Sequence, residues 1–203
     1  MRSILARAWP VMLAVALGLA ASQSLLIVGR PPTALEPGFV LRVLGSIAAI
    51  GVAGWLLTIA AASAARAERF RVRSPGIALW AAVAAVAASA AWVLSPFLTP
   101  LVLVVVLWLM PGAAQVRTLR TGLEVARRHP VRLIGAVVVT LVLSVVAWVA
   151  GLVFGFFVTG PLGTFLAWLV AGLLASVVIA MWTALRDRAA HPVNPQPAGV
   201  AGA

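Results

Sequence analysis

Side chains able to do acid–base, metal or nucleophilic chemistry are few in this sequence, and they lie apart. His129 and His191 are the two histidines, each followed by proline, and the four acids are Glu36, Glu68, Glu124 and Asp187. Cysteine, tyrosine and lysine are absent. Without cysteine there is no disulfide, thiolate nucleophile or cysteine-held metal, and without lysine no Schiff-base chemistry. Two histidines lacking cysteines or close acids make a poor zinc set. Neither falls within an apolar run, which argues against paired haem ligands or a serine–histidine couple at membrane depth. Each acid has an arginine near it in sequence, so local charge balance accounts for all four. No phosphate loop, dinucleotide glycine motif or paired-carboxylate spacing occurs. The expectation is a protein that is not an enzyme and takes no cofactor or metal.

The elements around these residues are set by composition. Mean hydropathy is +1.13, with 64% apolar and 9% charged residues, which leaves too little polar surface to wrap a water-soluble globule of 203 residues. The apolar runs are unbroken, unlike the alternating strands of a membrane β-barrel, and apolar all round, unlike the striped helices of a soluble domain. An all-α, polytopic transmembrane helical bundle of about six spans is expected over residues 1–188, with a disordered cytoplasmic tail over 189–203. At ~1.5 Å per residue and a ~30 Å bilayer core, the spans read as about 10–29, 39–65, 77–94, 97–114, 133–157 and 162–185. Ser95-Pro96 separates the third from the fourth, Thr99-Pro100 belongs to the same turn region, and Pro111 should kink or end the fourth. The first run also has the length of a signal-peptide core, with Gly18-Leu19-Ala20 as a small-residue cleavage site, but its continuation through Leu25, Leu26, Ile27 and Val28 favours a retained helix.

All 15 basic residues are arginine. Thirteen fall at the N-terminus, in alternate loops or after the last span, and only Arg30 and Arg42 fall on the other side. By the positive-inside rule both termini are cytoplasmic, and beside apolar runs that topology explains the charge better than nucleic-acid binding does. Trp9, Trp80, Trp108 and Trp182 then fall near the inner interface, and Trp92, Phe39, Phe97, Phe154, Phe156 and Phe157 near the outer one. Trp55, Trp148 and Trp168 lie deeper, where helix packing is the expectation. The residue usage is that of a GC-rich bacterium, which makes the inner membrane the expected location.

Small and polar residues within the spans give a more positive signal. Gly151 and Gly155 form a GxxxG, Gly172 and Ser176 repeat the small-xxx-small spacing in the last span, and Ala81, Ala85 and Ala88 lie along one stripe of the third. Such spacing lets helix backbones approach closely, here within the chain or between chains. Gln23 at lipid depth needs a partner, either a polar group on another helix or a polar pathway. From Ala114 to Arg128, Val116, Leu119, Leu123 and Ala126 recur at helical spacing opposite Arg117, Arg120, Glu124, Arg127 and Arg128. That pattern reads as an interfacial amphipathic helix whose arginines Arg117, Arg120, Arg127 and Arg128 either set topology or hold anionic lipid headgroups.

The basic segment ending in Arg127-Arg128-His129-Pro130-Val131-Arg132-Leu133, then a long helix, a turn at Gly160-Pro161 and a last helix closing on Leu185-Arg186-Asp187-Arg188, resembles multi-pass bacterial membrane domains. Among these is the domain that accompanies glycerophosphodiester phosphodiesterases. The resemblance covers about residues 114–188, includes no catalytic motif, and implies a lipid-facing helical domain. The functional expectation is a non-catalytic accessory or scaffold subunit working through helix and lipid contacts, with membrane lipids and other membrane subunits as partners. The alternative is a small uncoupled transporter or channel lined by hydroxyls, Gln23 and backbone carbonyls at glycine and proline breaks.

Overall fold

Four of the helices open on a proline, which fits the first helical position because its missing N–H would have no partner there. The structure, a computed structural model, describes residues 2–28, 36–68, 70, 75–110, 123, 126–127, 129–158 and 160–190. Its principal helices are α1 (Arg2–Leu26), α2 (Pro37–Ala65), α3 (Pro75–Leu94), the shorter α4 (Leu98–Trp108), α5 (Pro130–Phe157) and α6 (Pro161–Ala190). No strand occurs among the described residues. The fold is an all-α bundle, and five of its helices are long and apolar enough to cross a membrane.

Helix bounds depart from the hydropathy reading in understandable places. α1 begins eight residues earlier than expected and carries Pro10 inside it, ending at Leu26 with Ile27 and Val28 in a turn. α2, α3, α5 and α6 begin at their prolines, ahead of the first strongly apolar residue. α6 runs on past Leu185, so that Ala189 and Ala190, expected in the tail, are helical. Residues 191–203 of that tail lie outside the described residues. α4 has 11 residues, about 16 Å at helical rise, so it falls short of the span expected over 97–114. It ends at Trp108, three residues before Pro111, which itself lies outside the described residues. Ser95 and Pro96 form the predicted break between α3 and α4, whereas Thr99 and Pro100 sit in the first turn of α4.

The helices form a ring. Each packs on its neighbour in sequence from α1 to α4, α4 packs on α5, α5 on α6, and α6 returns to α1, while α2 and α6 also meet across the ring. α1 packs along one stripe, with Ile4, Ala8, Met12, Ala16 and Ala20 buried at every fourth position and Gln23 closing it. That spacing keeps one face turned to its neighbours, and alanine on three steps out of five lets them come close.

The main cluster of buried residues gathers at one end of the ring. It joins the start of α1 (Ile4, Ala8, Met12), the end of α2 (Leu57, Ala60, Ala61, Ala64), Leu107 in the last turn of α4 and Met110 just after it, Ala136 in α5, and Val178, Ile179, Trp182 and Leu185 in α6. Arg7, Arg66, Arg132 and Arg186 belong to these same helix ends. Toward the opposite end the large apolar side chains, among them Leu94, Phe97, Phe156 and Phe157, face outward. α5 shows the contrast within one helix, since its buried residues are Ala136 and Thr140 and none follows them.

Candidate functional site

Two polar pairs within the apolar helices tie one helix to another. Gln23 of α1 is 4% exposed; its Nε2 donates to the Ser46 carbonyl at 3.2 Å, and its Oε1 accepts from the Ser46 hydroxyl at 2.9 Å. This two-way pair ties α1 to α2, so the glutamine's partner is a second helix. Thr140 of α5 donates its hydroxyl proton to the Ala136 carbonyl at 2.7 Å and accepts the Trp182 indole N–H at 3.0 Å. Both sides of the Thr140 hydroxyl are thereby used. Ser176, Thr183 and Thr58 donate to the carbonyl four residues earlier in their own helices, a local bond available to a hydroxyl in an apolar setting.

The tryptophans expected at the arginine-rich interface divide. Trp9 is half-exposed, but Trp182 is 1% exposed and is the largest fully buried side chain. Its place in the core corrects the interfacial expectation: the helical step from Val178 to Trp182 faces the ring interior, and Thr140 supplies the partner its N–H requires. Trp80, partly buried, donates to the Val106 carbonyl at 3.2 Å and so links α3 to α4. At the opposite end Trp148 lies against Phe97 with ring centroids 6.3 Å apart.

The small-residue positions also divide. A Cβ placed on Gly172 would lie 3.0 Å from the Ala16 Cβ and 3.1 Å from its Cα, so α6 and α1 approach there more closely than an alanine pair permits without displacement. Ser176, one turn along, is buried beside this crossing. By contrast a Cβ on Gly151 or Gly155 would meet nothing within 4 Å. Of the two packings the spacing allows, within the chain or between chains, no internal neighbour covers this GxxxG among the described residues, and the half of α5 that carries it has no buried residue.

Charged residues occupy the bundle's ends. Arg186, expected in the interfacial cluster, is instead 3% exposed, and one of its terminal nitrogens donates to the Trp108 carbonyl at the end of α4. A cation there complements the free carbonyls of a helix C-terminus. Its other terminal nitrogen is buried without a hydrogen-bond partner among the described residues. Sequence reading missed this placement, although Arg186 follows Trp182 by one helical turn and so shares its stripe. Arg66 pairs with Glu68 at 3.4 Å on the surface, and Arg42 donates to the Val28 carbonyl at 3.4 Å. His129 precedes the first turn of α5, where its carbonyl accepts from Leu133 N–H at 3.0 Å. Of the headgroup candidates, Arg117, Arg120 and Arg128 lie outside the described residues, as does most of the amphipathic segment; Arg127 is helical and exposed. His191 and Glu124 also lie outside them.

What the arrangement offers is a set of interhelical ties and an uncovered GxxxG on α5. No family model, curated protein or solved structure matches this chain.

Proposed function

We propose that this chain is a non-catalytic, multi-pass protein of a bacterial inner membrane, with both termini in the cytoplasm, acting as an accessory or scaffold subunit that docks another membrane protein through α5. The observation that carries the reading is the open GxxxG. Glycine within a helix costs about 1 kcal/mol relative to alanine, and against lipid alone it returns nothing in packing. Gly151 and Gly155 lie one turn apart with open space above both, the spacing that lets a second helix approach to backbone contact. The pairing of Gln23 with Ser46, and the hydroxyls bonded within their own helices, support scaffold over conduit, since these groups bind protein rather than line a path.

Purification of a tagged chain from native membranes in mild detergent tests this. A membrane protein should co-purify, and Gly151→Ile with Gly155→Ile should reduce its recovery at least several-fold. The chain's own yield and helix content should hold, because a Cβ at either position has no neighbour within 4 Å among the described residues. A chain that purifies alone, or a partner that persists through both substitutions, refutes the proposal.

A further inference from the structure

We infer that the chain binds an aminophospholipid in a cleft between α1 and α2 at the arginine-rich end, with the lipid phosphate on Arg7 and its amine on Glu68. The cleft has a volume of about 460 Å³ and is open on one side; Arg7, Ser63, Glu68 and Phe70 line it together with the apolar Val11 and Ala60. That volume falls within the ~300–1,000 Å³ of small-molecule sites. Its lining combines one cation, one anion and a hydroxyl with an aliphatic surface belonging to two membrane-length helices.

Each charged group is placed by a local structural cause. Arg7 stands beside Ala8 and one turn before Val11 on α1, and its Nη1 donates to the Ala64 carbonyl on α2 at 3.5 Å. A guanidinium has five N–H donors in a planar fork suited to two phosphate oxygens, and this long contact engages one of them. Glu68 is set by the way α2 ends. Ala67 N–H donates to the Ala64 carbonyl at 3.3 Å and Glu68 N–H to the Ser63 carbonyl at 3.0 Å, with Ala67 at a φ of 55°. This pair of bonds is a Schellman cap, whose left-handed position usually belongs to glycine. The alanine Cβ is disfavoured there, yet the cap is kept, and it turns the chain so that Glu68 and Phe70 line the same cleft as Arg7. Glu68 does pair with Arg66, but at 3.4 Å with both side chains about half exposed. Such a pair is weak and exchanges readily for another cation.

The charge pattern selects among lipids. An anionic headgroup would gain from Arg7 and be opposed by Glu68, whereas a zwitterion with a primary amine satisfies both and donates N–H bonds to the carboxylate. The aliphatic lining, with Val11 and Ala60, suits an acyl chain and favours a lipid over a soluble zwitterion. This inference requires only that the bundle lies in a bilayer; it stands whether or not α5 recruits a partner.

Native mass spectrometry of the full chain in detergent, offered phosphatidylethanolamine, phosphatidylcholine and phosphatidylglycerol of equal chain length, tests it. Phosphatidylethanolamine should be retained several-fold above the other two. Arg7→Gln should lower its retention several-fold, and Glu68→Gln should erase the preference over phosphatidylglycerol. Arg132→Gln, an exposed arginine of α5 away from the cleft, should change neither. Soluble glycerophosphoethanolamine at the lipid's concentration should leave the bound lipid in place. Equal retention of all three lipids, insensitivity to Arg7→Gln, or displacement by the soluble headgroup overturns the inference. Should Arg7→Gln fail to fold, Glu68→Gln, a change at an exposed side chain, decides by itself.

Discussion

At the scale of single residues, the most exacting contact is the one between Thr140 and Trp182. The indole N–H is buried with one acceptor, and that acceptor is a hydroxyl already committed to its own helix. Thr140→Val keeps the shape and removes the oxygen, leaving the N–H unpaired in an apolar interior. Interhelical hydrogen bonds in membranes are worth ~0.6–2 kcal/mol, and a loss of that size should lower thermal stability in detergent by roughly 2–4 °C per kcal/mol. Thr140→Ser, which retains the acceptor, should preserve the bond and most of the stability. Equal melting of Thr140→Val and the parent chain would show that the bond contributes nothing. Gln23 and Ser46 follow the same logic with two bonds instead of one. The need for a partner at Gln23 was legible from its type and depth; that Ser46 supplies it was not, because nothing in the sequence states which faces of α1 and α2 meet.

At the scale of helices, the crossing of α1 and α6 is set by Gly172 against Ala16. Gly172→Ala asks the helices to separate by a few tenths of an ångström, and Gly172→Leu asks for much more, an overpacking cost of roughly 1–3 kcal/mol. The leucine variant should give a clearly lower folded yield by size-exclusion chromatography in detergent. The alanine variant should be mildly affected and recover when combined with Ala16→Gly. A leucine variant that folds as well as the parent would place the close approach elsewhere. The same small-xxx-small spacing recurs at Gly151 and Gly155 with open space above it, so spacing alone identifies a surface capable of close approach and leaves open whether anything in the chain occupies it. Pro37, Pro75, Pro130 and Pro161 each open a helix. A reading led by hydropathy begins those helices one to three residues late, since proline's role at the first position is geometric and not apolar. Gly160, at a φ of 78°, supplies the turn that precedes Pro161.

At the scale of the molecule, charge and packing share a direction. The helix ends that carry Arg7, Arg66, Arg132 and Arg186 also carry the main buried cluster. The opposite end presents Phe97, Phe156 and Phe157 outward. The positive-inside rule predicts that the packed end faces the cytoplasm. A fluorescent protein fused after residue 190 should therefore fluoresce in cells, and alkaline phosphatase fused at the same point should be inactive; the reverse pair of results would invert the topology. α1 sits between α2 and α6, so cleavage at Ala20 would remove the stripe from Ile4 to Ala20 and bare the Gly172 face of α6.

The sequence by itself determined the helical class, the positions of the long apolar helices to within a few residues at most ends, and the alternation of arginine between loops. These follow from local quantities: hydropathy over a bilayer's width, proline's geometry and charge beside apolar runs. Only the tertiary structure decided that Trp182 and Arg186 turn inward, that Gly172 meets Ala16 while Gly151 and Gly155 meet nothing among the described residues, and that Arg7 and Glu68 line one cleft. The physical reason is that these helices are apolar on every face. In a soluble helix an apolar stripe marks the side that packs, whereas a helix made for lipid carries no such mark. Its inward face is chosen by fit to its neighbours, which no single segment encodes.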